Sequence, residues 1–322
     1  MQDMWSKLPV PFFVQAPMED VTDVAFRTVI TRHGKPDVMF TEFTSADGLV
    51  RADERGKRTL LKKLEFGEGE RPIVAQLFSG NPAYMEEAAA LVQELGFDGL
   101  DINMGCPVNE VVRQGCGSAL IKEPEKAKEL IRAAKRGAPH LPISVKTRIG
   151  YAGNELATWV PALLEEGLAA LTIHARTRNE MSAVPARWEH IKETVEIRDR
   201  IGVNTVIVGN GDVVDLNDAR TKATESGCDG VMLGRAIYGN PWLYADRPHP
   251  PTKEERIAAL IEHLGVFDEM LTGFTNFALM KKHFKAYIGG WDGAKELRVK
   301  LMETNSVDEA RMCLLNAKNI DA

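Results

Sequence analysis

The sequence predicts an α/β chain that closes into a (β/α)8 TIM barrel, followed by a C-terminal all-α helical domain. Three observations carry that prediction. Short apolar, β-rich runs alternate with longer stretches of helical spacing over about 235 residues, as in a parallel sheet. Eight such runs occur, the number a closed barrel of this kind needs. The alternation then stops at a proline-rich stretch, beyond which no strand signal survives.

In chain order, the first strand is read at Phe12 to Pro17, followed by a helix at Asp23 to His33 and a second strand at Val38 to Phe43. The third strand, Ile73 to Phe78, leads into Pro82 to Leu95, whose proline suits a first helical position. Gly99 to Asn103 is paired with Pro124 to Arg136, and Ile143 to Arg148 with Glu155 to Glu166. Ala170 to Arg176 precedes a helix at Trp188 to Arg200, and Asn204 to Asn210 precedes one at Leu216 to Ser226. Gly230 to Arg235 is the eighth strand. A doubly wound sheet is the alternative, but its glycine fingerprint is missing: Gly209-Asn-Gly211-Asp-Val-Val214 lacks the third glycine and follows strand seven. Arg247-Pro-His-Pro-Pro-Thr252 cannot continue a helix, so a boundary near 248 separates a barrel over 1–248 from a helical unit over 249–322. The helices expected there are Lys253 to Leu271, Asn276 to Tyr287, Ala294 to Glu303 and Val307 to Ala317.

Composition excludes several classes. With 44% hydrophobic and 27% charged residues in 322, the chain has ordinary globular make-up. No apolar run approaches the roughly 18 residues of a bilayer span, and the N terminus has no basic-then-apolar leader, so a cytoplasmic protein without membrane attachment is expected. The four cysteines form no CxxC pair, which argues against a zinc site or a disulfide framework, and no metal is expected. A formal charge of −6 argues against nucleic-acid binding through bulk charge. Residues 281–300 nevertheless carry six Lys or Arg, among them Lys281, Lys282 and Lys285, against two acids. Tyr287 and Trp291 interleave with them, which suits RNA phosphates and exposed bases; a solvated helix face with two core aromatics is the alternative.

In a barrel of this kind the chemistry gathers where strands end. Here Glu42, Gln76, Asp101, Asn103, Lys146, Arg148, His174, Arg176, Asn210 and Arg235 lie in or just after otherwise apolar strands. The glycines of Gly209-Asn-Gly211-Asp212 and Gly234-Arg235 follow strands seven and eight, where such barrels often hold a phosphate on backbone N–H groups. Arg235 would add a bidentate partner; tight βα turns are the plainer explanation of the glycines. Strand four runs into Asp101-Ile-Asn-Met-Gly-Cys-Pro107, placing Cys106 on a stiff loop at the same mouth. A thiol with an ordinary pKa of roughly 8.5 is mostly protonated at neutral pH, so it can donate a proton without activation. Cys116, Cys228 and Cys313 read as packing residues.

The strings Ala16-Pro-Met18, Thr41-Glu42, Gln76-Leu-Phe-Ser-Gly80, Asp101-Ile-Asn-Met-Gly-Cys-Pro107, Gly115-Cys-Gly-Ser-Ala-Leu120, Val145-Lys-Thr-Arg148, Ile173-His-Ala-Arg-Thr177, Gly209-Asn-Gly-Asp212, Gly234-Arg235 and Gly239-Asn-Pro-Trp-Leu243 together resemble the tRNA-dihydrouridine synthases. Their order and spacing agree as well, and the match extends weakly into Met280-Lys-Lys-His283 and Tyr287. The resemblance implies an FMN enzyme that uses NADPH to reduce the C5=C6 bond of uridine in tRNA. It would place Pro17, Met18 and Glu19 against the isoalloxazine and Gln76, Lys146 and His174 around its polar edge. Asn210, Gly211, Asp212, Gly234 and Arg235 would hold the ribityl phosphate, Cys106 would be the catalytic cysteine, and Asn103 and Arg176 would contact the uracil. Lys281, Lys282 and Lys285 would grip tRNA, by a monomer working alone.

The chain departs from the family's usual Gln, Tyr and Gly-x-Ala-x-Trp run after Arg176, reading Thr177-Arg-Asn-Glu-Met-Ser-Ala-Val-Pro-Ala-Arg-Trp188. That segment bears on substrate contacts rather than on the flavin site. Glu19 also replaces a smaller residue. Competing readings are a dihydroorotate dehydrogenase, which has no use for a basic helical appendage, a noncatalytic RNA-binding barrel, and an aldolase using Lys146 as a Schiff base, for which the Cys106 loop has no purpose.

Overall fold

The computed structural model describes residues 4–319. Eight strands, β1 (Phe12–Gln15), β2 (Met39–Ser45), β3 (Ile73–Phe78), β4 (Gly99–Asn103), β5 (Ile143–Arg148), β6 (Ala170–His174), β7 (Val206–Asn210) and β8 (Gly230–Leu233), are all parallel. Their order is β1-β8-β7-β6-β5-β4-β3-β2, and a bridge between Val14 and Val38 closes β1 on β2, giving a barrel. The barrel helices are α1 (Val24–His33), α2 (Ala46–Arg51), α3 (Glu54–Lys63), α4 (Pro82–Glu94), α5 (Asn109–Arg113), α6 (Pro124–Gly137), α7 (Leu156–Leu164), α8 (Glu189–Ile201) and α9 (Leu216–Ser226). Beyond the proline-rich stretch come α10 (Lys253–Leu271), α11 (Met280–Tyr287), α12 (Ala294–Glu303) and α13 (Val307–Asn319).

Strands β3, β4 and β5 fall where the apolar runs place them. The first, sixth and eighth stop two residues earlier than expected, at Gln15, His174 and Leu233, and β7 starts two later, at Val206. Strand β2 instead runs on to Ser45, with a register break against β3 between Phe40 and Phe43. Helices α2, α3 and α5 were not expected from the sequence: α2 and α5 are only one to two turns long, and α3 fully buries no residue, touching the core through the half-buried Leu60. The helix expected from Asn276 opens as a 3-10 turn, Phe277–Leu279, before α11.

Alternation along each strand sends every second side chain into the barrel. At the N-terminal end this interior is apolar, with Phe12, Val14, Phe40, Val74, Val208 and Met232 closed off by Trp5. Towards the C-terminal end it turns polar: Ser144, Lys146 and Arg148 share one face of β5, and Asp101 and Asn103 one face of β4. The helices seal the outer face through one continuous apolar core. A second core joins α10 to α13 with Val24, Ala25 and Val29 of α1, so the helical region packs on the barrel's first helix. Helix α10 starts at a capping box in which Thr252 Oγ1 accepts the Glu255 N–H at 3.2 Å and Glu255 Oε2 accepts the Thr252 N–H at 2.8 Å.

Candidate active site

A cleft of about 700 Å³ opens at the C-terminal ends of the strands. Of the residues expected there, Pro17, Met18, Lys146, His174, Asn210, Gly211, Asp212, Gly234 and Arg235 line it. Gln76, Glu19, Asn103, Cys106 and Arg176 do not, although Gly105, next to Cys106, does. Gln76 is fully buried beneath the cleft, where its Nε2 donates to Asp101 Oδ2 at 2.7 Å and its Oε1 accepts from Asn103 Nδ2 at 3.0 Å. Ser144 Oγ donates to the other Asp101 oxygen at 2.7 Å. Burial pushes the Asp101 carboxyl up to about 6, against the pull of these two donors and of the Lys146 charge. Glu19 is exposed and paired with Lys63 of α3.

Above this polar layer the cleft wall is cationic. Lys146 Nζ donates to Asn210 Oδ1 at 3.0 Å, and Asn210 Nδ2 donates to the Met232 carbonyl at 2.8 Å, so one amide orients the ammonium and ties β7 to β8. Burial, reinforced by the Arg148 charge, lowers the Lys146 ammonium to about 8. Burial also holds His174 well below its ordinary value, helped by Arg148, Lys146, Arg176 and Arg235, so its ring is neutral at pH 7. His174 Nε2 lies 3.4 Å from Arg176 Nη1, an obligate donor; accepting there leaves the proton on Nδ1, which is buried without a partner.

Asp212, in the left-handed region at φ 48°, gathers the late loops. Its Oδ1 accepts from Arg235 Nη2 at 2.7 Å, its Oδ2 accepts from Arg176 Nη2, and the same Oδ2 accepts the Ala186 N–H at 2.9 Å. The Arg176 bond, with lesser help from the other partners, lowers the Asp212 carboxyl. Arg176 is thus held behind the cleft wall, bonded to the lining residue Asp212, and its Nε also donates to the Val184 carbonyl at 2.5 Å. The divergent 177–188 segment keeps Ala186 and Trp188 for a packing reason. Trp188 Nε1 donates to the Gly211 carbonyl at 2.8 Å, and a Cβ on Gly209 would lie 2.4 Å from the Trp188 ring.

Arg148, recognisable in the sequence as the inward-facing neighbour of Lys146 but assigned no role there, lines the cleft as well. It donates to the carbonyls of Gly105 at 2.7 Å, Thr177 at 3.1 Å and Met181 at 3.2 Å, joining the β4 and β6 loops. The β4 loop is held from below too, since Asn103 Oδ1 accepts the N–H groups of Gly105 at 3.1 Å and Cys106 at 2.9 Å. The Cys106 carbonyl accepts from Ser118 Oγ at 2.9 Å and Ser118 N–H at 3.0 Å. Gly117, at φ 59°, allows this approach, because a Cβ there would meet the Cys106 carbonyl oxygen at 2.8 Å. Cys106 is buried, and burial pushes its thiol up despite the nearby Val108 N–H and the charges of Arg148 and Lys146. It is therefore a neutral thiol at pH 7, a form that can give up a proton but is a poor nucleophile.

The basic residues of α11 and α12 form a second cleft of about 530 Å³, lined by Lys281, Lys282, Lys285, Lys295 and Arg298 around Val299 and Met302. Three of these cations have partners: Lys281 Nζ donates to the Met302 carbonyl at 2.8 Å, Lys282 Nζ to Asp20 Oδ2 at 2.8 Å and Arg298 Nη1 to the Ile288 carbonyl at 2.7 Å. Tyr287 corrects the sequence expectation. Its ring is fully buried in the helical core and offers no surface to a base. Among the described residues no helix is long and apolar enough to cross a membrane.

Fold and site define a TIM-barrel enzyme whose cationic, neutral-histidine cleft adjoins a protonated cysteine. The family model described as dihydrouridine synthase matches residues 14–321. The probable tRNA-dihydrouridine synthase 2 of Bacillus subtilis (strain 168) is 44% identical over 97% of this chain and 96% of its own length. The probable tRNA-dihydrouridine synthase of Staphylococcus aureus (strain COL) is 42% identical over 97% of this chain and 95% of its own. The chain belongs to the dihydrouridine synthase family, and is an oxidoreductase. Among solved structures, histamine dehydrogenase from Rhizobium sp. 4-9 superposes with a TM-score of 0.56 at 13% identity, over 82% of this chain and 51% of that one. Morphinone reductase in complex with tetrahydroNAD gives 0.50 at 14% identity, over 74% and 87%. At these identities the likeness is one of fold.

Proposed function

We propose that this chain reduces the C5=C6 bond of uridine in tRNA, with FMN held in the barrel cleft and NADPH as reductant. The carrying observation is the juxtaposition of a cationic cleft with the neutral thiol of Cys106 on the adjoining loop. The cleft fits a flavin mononucleotide in three respects. Its volume of about 700 Å³ lies in the range of cofactor pockets, its wall carries Lys146, Arg148 and Arg235, and the buried Nδ1 of His174 lacks a partner within the protein. A bound flavin would supply the hydride that the uracil receives at C6.

The chain's own residues do the rest. Lys146, fixed by Asn210, would place positive charge beside a bound flavin's polar edge, and His174 would offer a neutral donor there. Pro17 and Met18, which line the cleft, would form the wall against the rings. Gly211, Gly234 and Arg235, at the ends of β7 and β8, would hold the phosphate, while Asn210, whose amide is taken up by Lys146 and the Met232 carbonyl, would act through Lys146. Asp212, an anion, serves that phosphate indirectly by orienting Arg235. Cys106 Sγ–H delivers the proton to C5. Asn103 acts by fixing the Cys106 backbone, and Arg176 by bracing the loop that borders the uracil. A stacked uridine hides C5 and C6, so the base is extruded into the barrel mouth, while Lys281, Lys282 and Lys285 meet tRNA phosphates.

The test is Cys106→Ala loaded with FMN. NADPH is expected to bleach its flavin at the wild-type rate, while added tRNA reoxidises it at least about a hundredfold more slowly, the scale of a lost general acid. Wild-type reoxidation by tRNA would remove Cys106 from the mechanism.

A further inference from the structure

Glu42 is a buried carboxylate with no part in the chemistry above. It sits at the register break of β2, between Phe40 and Phe43, where an irregularity re-aims side chains. Its Oε1 reaches across to the loop after β1 and accepts the Asp20 N–H at 2.5 Å. Asp20 holds a left-handed φ of 57°, a conformation that persists in a non-glycine residue only where its surroundings impose it.

The rest of that loop is fixed at its far end. Thr22 Oγ1 accepts the Met18 N–H at 2.9 Å, and the Thr22 carbonyl accepts from Arg27 Nη1 at 2.7 Å. The same loop carries Pro17 and Met18 into the cleft wall, and the turn around Asp20 closes on Met18, whose carbonyl accepts the N–H groups of Val21 at 3.1 Å and Thr22 at 3.0 Å. The Asp20 N–H is the backbone group through which a buried side chain of a neighbouring strand grips it. We infer that Glu42 is a positioning residue: by holding the Asp20 N–H it sets the left-handed turn that aims Pro17 and Met18 at the cofactor.

The electrostatic setting fits a residue retained for geometry rather than stability. Oxygens of Glu19, Asp20 and Glu42 lie within 4.8 Å of one another. Lys63 of α3 pairs with Glu19, Lys282 of α11 pairs with Asp20, and Asp23 caps α1 alongside. Burial pushes the Glu42 carboxyl up to about 7, with the Lys63 charge opposing and the Asp23 and Glu19 charges adding. An unpartnered buried acid in this position would be a liability; one that fixes a strained turn has a use.

The inference rests on the flavin reading of the cleft, and its test separates the two. FMN affinity is measured by quenching of flavin fluorescence for wild type, Glu42→Ala and Glu42→Gln, alongside hydrogen exchange of peptides from the flavin-free proteins. Alanine is expected to weaken FMN binding about tenfold and to speed exchange within residues 16–22 alone. Glutamine, which keeps the acceptor oxygen, is expected to bind within about threefold of wild type. Wild-type affinity in Glu42→Ala, equal losses in both variants, or exchange that rises throughout the protein would each overturn the inference. A wild-type protein that binds no FMN would sink the flavin reading instead, and the exchange measurement alone would then judge Glu42.

Discussion

Lys146 Nζ donates to Asn210 Oδ1 at 3.0 Å, so the ammonium that faces the cleft is fixed by a residue two strands away. Burial lowers this lysine to about 8, which means that its charged form is disfavoured in the folded protein. A base with a lowered folded pKa costs stability while it is charged, below about 8, and that cost fades as pH rises towards its unfolded value. Lys146→Met is therefore expected to raise the Tm of the flavin-free protein at pH 7 by roughly 3 °C while weakening FMN binding at least about tenfold. Calorimetry and a flavin titration check both halves; a lower Tm would mean that the Asn210 bond outweighs the burial cost.

Gly209→Ala forces a Cβ to 2.4 Å from the Trp188 ring. The expected loss is about 1–3 kcal/mol by urea unfolding, the range for overpacking. Adding Trp188→Leu should recover part of it, and a double-mutant cycle with no coupling would refute the contact.

Fold and site are legible in the sequence where packing dictates residue type. Strands β3, β4 and β5 lie buried in the barrel and read as apolar runs, so their ends were visible. Helix α3 meets the core only through the half-buried Leu60, so its face is weakly marked, and its start is signalled by the Asp53 cap. The strand-end polar residues that line the cleft were visible as intrusions into apolar runs, and the alternation along β5 places Arg148 beside Lys146. The direction of Arg176 was not visible, because β6 ends at His174 and strand alternation does not govern the residues beyond it. The resemblance puts Gln76 at the flavin's edge, whereas its strand position alone shows polarity but not depth; its side chain is fully buried and bonded to Asp101 and Asn103. Glu42 showed as a strand-end acid, but its target is set by the β2 irregularity, which the sequence does not display.

His263 and His283 pack edge-on with ring centroids 4.6 Å apart, among Phe26, Tyr238 and Tyr287, at the seam between barrel and helical region. Burial pushes His283 down to about 4, with a smaller contribution from Lys282. A histidine with a lowered folded pKa favours folding while neutral, and that stability is lost as pH falls from its unfolded value of roughly 6.5 towards the folded one. His283→Leu is expected to flatten the decline of stability between those two pKa values, read from urea midpoints at successive pH. An unchanged slope would show that His283 does not titrate there.

Lys285 is exposed on the basic cleft of α11 and α12, whereas Lys281 is engaged with the Met302 carbonyl. Lys285→Glu should weaken tRNA binding about threefold to tenfold and lower the salt slope by about one. Lys281→Glu should cost less. Unchanged affinity and slope in Lys285→Glu would leave this cleft a solvated face.

The central claim is the reaction itself. The measurement is mass spectrometry of nucleosides from unmodified tRNA incubated with the protein, FMN and NADPH. The account predicts uridine that has gained two hydrogens, in wild type and not in Cys106→Ala. No dihydrouridine from a protein that binds FMN and is reduced by NADPH would contradict it.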